Sequence, residues 1–134
     1  MSFDQDNLPE RTLALLNDRA FAVLATARPD GRLHAALVGF TYRADEREAW
    51  LVLRGSGVKF RNITARRASI PATLTQVGDG GRWITLEGSL ALLSGHDALS
   101  EAMRRYRIRY GEDIASDETR RAGLLQVKRM YGTG

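Results

Sequence analysis

Residues 20–42, AFAVLATARPDGRLHAALVGFTY, indicate the fold class because two strand-like runs flank a strong turn. The run from Ala20 to Ala27 has the length of a strand and is apolar throughout, which is typical of a strand buried on both faces. Arg28-Pro29-Asp30-Gly31 places proline and glycine where a tight turn requires them. A second strand is predicted from Leu33 to Tyr42, so the segment is expected to form an antiparallel hairpin.

The rest of the chain extends this hairpin with further strands. A strand from Ala49 to Leu53 would complete a three-stranded antiparallel meander. Gly88 is a candidate β-bulge, and Pro71 should lie near the start or at the edge of its strand. Six strands with few helices predict a small antiparallel barrel. The three later strands are predicted over Ser69–Val77, Arg82–Leu93 and Gly123–Tyr131.

Two helices are predicted outside the strands. Asn7 can cap the first, with Pro9 in its first turn, where the missing N–H is harmless. The second covers His96 to Tyr110, carries apolar residues at helical spacing and ends at Gly111.

Composition limits the possible classes of protein. With 134 residues the chain is expected to form one domain, residues 1–134. It has no cysteine, which excludes disulfides and thiolate chemistry and fits a reducing cytoplasm. No apolar run approaches membrane-spanning length, so a cytoplasmic protein without a membrane partner is expected. A net charge of +4 and a pI near 10.0 favour anionic ligands without choosing among them.

The chain lacks the common catalytic motifs. His34 and His96 do not have the paired spacing of a helical zinc site, so no metal site is predicted. No Gly-x-Ser-x-Gly elbow occurs, and no catalytic side chain is assigned. Glu87 lies in an apolar strand and is expected to point outward on a half-buried face.

Residues 51–67, LVLRGSGVKFRNITARR, form a candidate anion cradle at the end of the third strand. Gly55 and Gly57 allow a sharp turn, and the helix start predicted after them leaves N–H groups free for a phosphate. Neither a Walker loop nor a dinucleotide fingerprint is present. A solvated basic helix after an ordinary glycine turn explains the same residues. Side chains within reach of the turn are Arg54, Ser56, Lys59, Arg61 and Asn62.

The order of these strings resembles the FMN-binding split-barrel family, whose members are pyridoxamine 5'-phosphate oxidase-like. AVLATARPDGRLHAALVGFTY, the glycine turn with Lys59 and Asn62, and GGRWITLEGSLALL are similar to its branch of coenzyme F420-dependent oxidoreductases. Within that branch, VGFTY, TQV and RWITLEG are most similar to the biliverdin reductases. The resemblance covers nearly the whole chain.

This resemblance implies a mainly β, α+β fold: a six-stranded antiparallel split barrel with Greek-key character and flanking helices. It implies a homodimer with F420 at the interface and hydride transfer from the reduced cofactor to an unsaturated small molecule, with biliverdin the candidate substrate. Lys59 would meet the cofactor phosphate. The serine of Gly-Ser-Gly is displaced by one position from the usual pattern of the branch, which leaves the role of Ser56 open. The implied cofactor-binding positions are Ala25, Thr26, Gly39, Phe40, Arg54, Ser56, Gly57, Lys59, Arg61, Asn62, Gln76, Arg82 and Trp83.

Two alternatives remain open from sequence. The same fold could hold FMN, or haem, in place of F420. A nucleic-acid-binding module is motivated by the pI and by Arg104, Arg105, Arg107 and Arg109 in one helix, although these side chains also fit a solvated helix face. No nucleic-acid partner is expected on balance.

Overall fold

The computed structural model describes residues 1–54, 69–114 and 119–133. Within them no helix has the length and apolar character needed to cross a membrane. The helices are α1 (Glu10–Asn17) and α2 (His96–Tyr110), and a 3₁₀ turn covers Asp79–Gly81. The strands are β1 (Ser2–Phe3), β2 (Ala22–Ala27), β3 (Leu33–Val38), β4 (Phe40–Arg43), β5 (Glu48–Arg54), β6 (Ile70–Val77), β7 (Trp83–Leu93) and β8 (Arg120–Gly132).

The strands form one antiparallel sheet in the order β3-β2-β6-β7-β8-β5-β4, and β1 pairs with β8. The sheet curls into a half-barrel, and β3 at one end of this order also contacts β5 near the other end. With helices at its flank, this is the split-barrel α+β fold expected from the sequence. The described residues contain eight strands rather than six, because the predicted second strand is divided and β1 is added.

The core lies inside the curl and is filled by alternate residues of the strands. Leu24, Leu51, Leu74 and Leu86 are fully buried there. Helix α1 adds Leu15 and its neighbour Leu16. Burial of each such side chain contributes about 1.5–3 kcal/mol relative to an exposed one, so the strands and α1 stabilise one another.

Gly39 divides the predicted Leu33–Tyr42 strand into β3 and β4. β3 pairs with β2, whereas β4 pairs with β5 at the other end of the strand order. The predicted meander is therefore wrong. A Cβ atom at position 39 would overlap the ring of Tyr106 from α2, so the chain crosses from one strand to the other at a residue without a side chain.

Two further expectations are corrected by the structure. β2 alternates between buried and open positions, and Val23 is 43% exposed, so this strand is not buried on both faces. Helix α1 begins at Glu10 with Pro9 at the N-cap position and no side-chain cap. The backbone N–H of Asn7 donates instead to the carbonyl of Asp4, because the chain still turns there.

The predicted turns are confirmed. Gly31 adopts a φ of 86° and its N–H donates to the carbonyl of Arg28, which closes the hairpin between β2 and β3. Gly111 ends α2 with a φ of 74°. Pro71 is the second residue of β6, beyond the end of its pairing with β2, so its missing donor costs no ladder bond to that strand.

Gly88 forms the predicted bulge, where the register of β7 against β8 shifts. Glu87 pairs with Arg129 but Gly88 pairs with Val127, so Lys128 is the extra residue. A Cβ atom on Gly88 would overlap the backbone carbonyl of Gln126. A backbone neighbour cannot rotate away, so only glycine fits here without a shift of the strand.

We expect Gly88→Ala to lower the free energy of unfolding by about 2 kcal/mol, since the added methyl group overpacks the backbone of β8. Urea denaturation followed by circular dichroism measures the change. Ser89→Ala, one residue further along the same strand, is the control and should change it by less than about 0.5 kcal/mol. Equal stability of the glycine variant and the wild type would contradict this account of the bulge.

Candidate functional site

Arg109, at the end of α2, binds three other elements of the fold. Its Nη1 donates to the carbonyl of Phe40 at 2.5 Å, and its Nη2 donates to Oε1 of Gln76 at 2.9 Å. Its Nε donates to the carbonyl of Asp18 at 2.9 Å. The guanidinium also lies over the ring of Phe40, 4.5 Å from its centroid. One side chain therefore links α2 to β4, β6 and the end of α1.

The hydroxyl group of Tyr110 also binds the backbone at the start of β4, next to the junction of β3 and β4. The hydroxyl accepts from the N–H of Phe40 at 3.1 Å and lies 2.9 Å from the carbonyl of Ala20, to which it donates. Burial is the main reason that the pKa of Tyr110 is raised above its ordinary value. Burial likewise lowers the pKa of Arg109. These residues hold the start of β4 in place.

Two predicted cofactor-binding residues are used inside the fold. Phe40 is buried, and its backbone N–H and carbonyl are bound by Tyr110 and Arg109. Gln76 is fully buried, and its Nε2 donates to the carbonyl of Leu15 at 2.5 Å while its Oε1 accepts from Arg109. Gln76 has no exposed surface and both ends of its amide are hydrogen-bonded inside the protein, so the structure argues against direct contact with a ligand by that side chain.

A cavity of about 310 Å³ lies beside the end of β5, and we call it the β5 cavity. Gly39 is the predicted site residue found there. The aromatic rings of Phe21 and Tyr106 form part of its wall, and the ring of Tyr106 packs 4.5 Å from that of Tyr110. The remaining lining residues are Leu37, Val38, Val52, Ile114 and Arg120.

Arg120 gives the β5 cavity a positive charge. It begins β8 and pairs with Arg54, the last residue of β5. Its Nε atom is buried without a hydrogen-bond partner in the described part of the chain. A buried donor of this kind is costly unless a ligand or water accepts from it.

A second cavity, the outer-face groove, lies on the outer side of the sheet and has a volume of about 540 Å³. Ala25 and Thr26 of β2, both predicted to flank the cofactor ring, line this groove and not the β5 cavity. Glu87 and Lys128 are its charged residues, and Glu87 points outward as expected. The structure therefore brings Ala25 and Thr26 together and places Gly39 elsewhere.

Arg82 and Trp83 lie at the start of β7. Trp83 is partly exposed, and its ring meets that of Tyr131 edge to face at 6.2 Å between centroids. Nη2 of Arg82 donates to the carbonyl of Arg11 at 3.0 Å. Trp83 pairs with Val77, so its exposed ring is next to another apolar side chain at the surface.

The residues of the predicted cradle remain predictions. Ser56, Gly57, Lys59, Arg61 and Asn62 lie outside the described residues, as does the helix predicted after them. Arg54 is described only through its backbone, which pairs with Arg120.

Sequence reasoning did not assign Phe21, Tyr106 or Arg120 to a site. Tyr106 was visible only as part of the apolar stripe of α2, and Phe21 as the beginning of an apolar run. Arg120 follows a polar connection and carries no motif. The signal that joins them is spatial, since they come from three distant parts of the chain.

The arginines of α2 do not form one solvent-facing stripe. Arg109 is buried, whereas Nη2 of Arg104 and Nε of Arg105 lie 2.7 and 2.9 Å from the carboxylate of Glu101. Arg107 lies 3.7 Å from Asp113. A helix that offers its charges to a nucleic-acid backbone would present them on one open face, so this arrangement does not favour that alternative.

Comparison with known proteins adds a family and a functional relative. A sequence model described as pyridoxamine 5'-phosphate oxidase matches residues 8–133. The F420H(2)-dependent biliverdin reductase of Mycobacterium tuberculosis is 40% identical over 127 residues, covering 94% of this chain and 88% of that protein.

Solved structures share the fold. A conserved hypothetical protein of Mycobacterium tuberculosis superposes with a TM-score of 0.71 at 20% identity, over 94% of this chain and 84% of the other. A structure described as an F420 reductase superposes with a TM-score of 0.70 at 18% identity, over 92% of this chain and 98% of the other. At such identities the likeness concerns the fold alone.

We expect Tyr110→Phe to lower the free energy of unfolding by about 1–3 kcal/mol, because the buried N–H of Phe40 loses its acceptor. Tyr131→Phe is the control, and chemical denaturation at pH 7 measures both. A change of the same size in the two variants would show that the hydroxyl of Tyr110 has no special part.

The raised pKa of Tyr110 also gives the variant a distinct pH dependence. The folded state holds the phenol proton more tightly than the unfolded state, so this contribution is complete below the unfolded pKa, about 10, and is lost as pH rises above it. The stability difference between wild type and Tyr110→Phe should therefore shrink above pH ~10.

Proposed function

Since the chain belongs to the pyridoxamine 5'-phosphate oxidase family, we propose that it is an F420-dependent oxidoreductase that reduces an unsaturated small molecule. The observation that carries the proposal is the 40% identity, over nearly the whole chain, to an F420H(2)-dependent biliverdin reductase. Biliverdin is accordingly the candidate substrate. Reduced F420, when bound, supplies the hydride, so the protein has to bind, orient and exclude water.

The residues of the β5 cavity fit an acidic, partly flat ligand. F420 carries a phosphate and a polyglutamate tail, and the buried Nε of Arg120 is a donor without a partner in the described residues. Lys59 and its basic neighbours follow β5 in sequence, and they are the residues predicted to bind the phosphate. Phe21 and Tyr106 offer aromatic surface on the cavity wall.

The described side chains suit positioning more than acid–base catalysis. Among the described residues that line the β5 cavity, Arg120 carries a charge and none is a carboxylate or a histidine. Apolar lining residues such as Val38 and Val52 offer a bound ring a surface without competing polar side chains. This matches a reaction in which the cofactor carries the reactive group and the protein supplies geometry.

We also propose a homodimer with the cofactor at the interface. Val23 and Leu37 are opposite each other on the outer face of the β2–β3 hairpin and are 43% and 71% exposed. Leu33, Val77 and Trp83 are further exposed apolar residues of these strands and their neighbours. A monomer seldom leaves such an apolar surface exposed to water. This surface and the family resemblance both favour a second copy of the chain as the partner that covers it.

FMN is the alternative cofactor, because the description of the matching family model names an oxidase and does not mention F420. The visible spectrum of the purified protein, followed by titration with F420, FMN and haem, separates the three. Tight binding of FMN without affinity for F420 would overturn the proposed cofactor.

The cytoplasmic location remains a prediction from the cysteine-free sequence.

We expect Lys59→Ala to weaken F420 binding about tenfold to a hundredfold, since one charge-assisted hydrogen bond to phosphate is lost. Fluorescence titration at moderate salt measures the dissociation constant. Arg43→Gln is the matched control, because Arg43 pairs with Asp45 at the exposed end of β4 and should leave affinity within about twofold. Unchanged affinity of the lysine variant would refute the anchoring role.

We expect Val23→Arg to convert the dimer to a monomer at micromolar concentration, because the charge would be buried without a partner at the proposed interface. Sedimentation velocity measures the mass. Ile108→Arg, at an exposed apolar position of α2 beside β4 rather than on the β2–β3 hairpin, is the control and should remain dimeric. A monomeric wild type would contradict the proposed assembly while leaving the choice of cofactor open.

A further inference from the structure

A cavity of about 310 Å³ lies between α2 and β4, and we call it the arginine cavity. Its wall contains Arg109 together with residues of three elements. Those are Arg104, Arg105 and Ile108 of α2, Thr41 and Tyr42 of β4, and Asn17 of α1. Three guanidinium groups therefore share one small cavity, and none of its described lining residues is a carboxylate.

Two carboxylates that interact with these arginines, Glu101 and Asp18, only partly balance this charge. Glu101 is shared between Arg104 and Arg105, with its Oε1 at 2.7 and 2.9 Å from their nitrogens. Asp18 lies near Arg109 but contributes its backbone carbonyl to the hydrogen bond. Neither acidic side chain lines the cavity. Three positive groups against two negative ones leave the site with an excess of positive charge.

Of the three arginines, Arg109 has the greatest need for a compensating partner, because its residue is only 9% exposed. Its three hydrogen bonds end on two carbonyls and a side-chain amide, all of them neutral. No ion pair within the described residues includes it, and desolvation lowers its pKa. Arginine has five N–H groups, so two remain for another acceptor. A buried cation favours an anion close to it.

Two further lining residues, Tyr42 and Ile108, limit the kind of molecule that can carry the bound anionic group. The hydroxyl of Tyr42 donates to Oε1 of Gln5 at 3.0 Å, so its ring faces the site with the polar end engaged. Ile108 gives an exposed apolar rim. Guanidinium groups pair well with the oxygens of phosphate and carboxylate. The volume accommodates such a group with a small organic body.

This cavity is separate from the proposed cofactor site. Arg105 and Arg109 are four residues apart and lie on one face of α2. Tyr106, on the neighbouring face, lines the β5 cavity instead. Thus α2 has a different cavity on each of two faces.

We propose that the arginine cavity binds the phosphate or carboxylate group of a small molecule, independently of the cofactor. This site goes beyond the proposed function and does not depend on it.

Inorganic phosphate is a suitable probe, titrated at constant ionic strength with chloride and followed by amide chemical shifts. We expect saturable shifts of Thr41, Tyr42 and Ile108. Arg104→Gln and Arg105→Gln should each weaken this binding about tenfold, because each removes a charge-assisted hydrogen bond. Arg107→Gln is the matched control, since Arg107 is on the same helix but does not line the cavity.

The residue-resolved readout separates this site from the cradle around Lys59. Shifts at Thr41 and Ile108 that persist in Lys59→Ala support the arginine cavity. Absence of saturable shifts at these amides, or an equal loss of binding in Arg107→Gln, would overturn the proposal. Repeating the titration with acetate tells whether a carboxylate is accepted as well as a phosphate.

Discussion

The fold depends on the hydrogen bonds that the end of α2 makes to the backbone at the junction of β3 and β4. At this break, the N–H and carbonyl of Phe40 are bound by the last two side chains of the helix, Tyr110 and Arg109. Buried backbone groups without partners are costly, so the sheet can change direction here only because the helix supplies them. The helix thereby fixes the point at which the chain passes from β3, one end of the strand order, to β4, the other end.

Much of the fold was predictable because local chemistry dictated it. Proline and glycine defined the hairpin turn at residues 28–31, and Gly88 was identifiable as a bulge inside an apolar strand. The division at Gly39 was not, since an isolated glycine in a strand pattern does not reveal which strand its two halves will join. Arg109 was equally hidden. Sequence alone placed it on a solvated face, whereas its partners come from distant β4, β6 and α1.

The candidate site shows the same division between local and spatial information. Glycine spacing and basic residues predicted a phosphate cradle after β5, and the family comparison supports the proposed cofactor. Phe21, Tyr106 and Arg120 entered only when the fold brought them beside Gly39. Gln76, which matched a ligand-contacting segment, instead joins α1 to α2 in the interior. A motif shared with relatives locates a segment but does not tell which way its side chains point.

The contact between Gly39 and Tyr106 constrains how this protein can diverge. Any side chain at position 39 needs the space that the tyrosine ring now fills. A larger residue there requires the ring of Tyr106 to move or to be replaced by a smaller side chain, and either change would alter the aromatic wall of the β5 cavity. In relatives, the residues at positions 39 and 106 should therefore change together. A relative with a larger residue at position 39 and a smaller one at position 106 should bind molecules of a different shape.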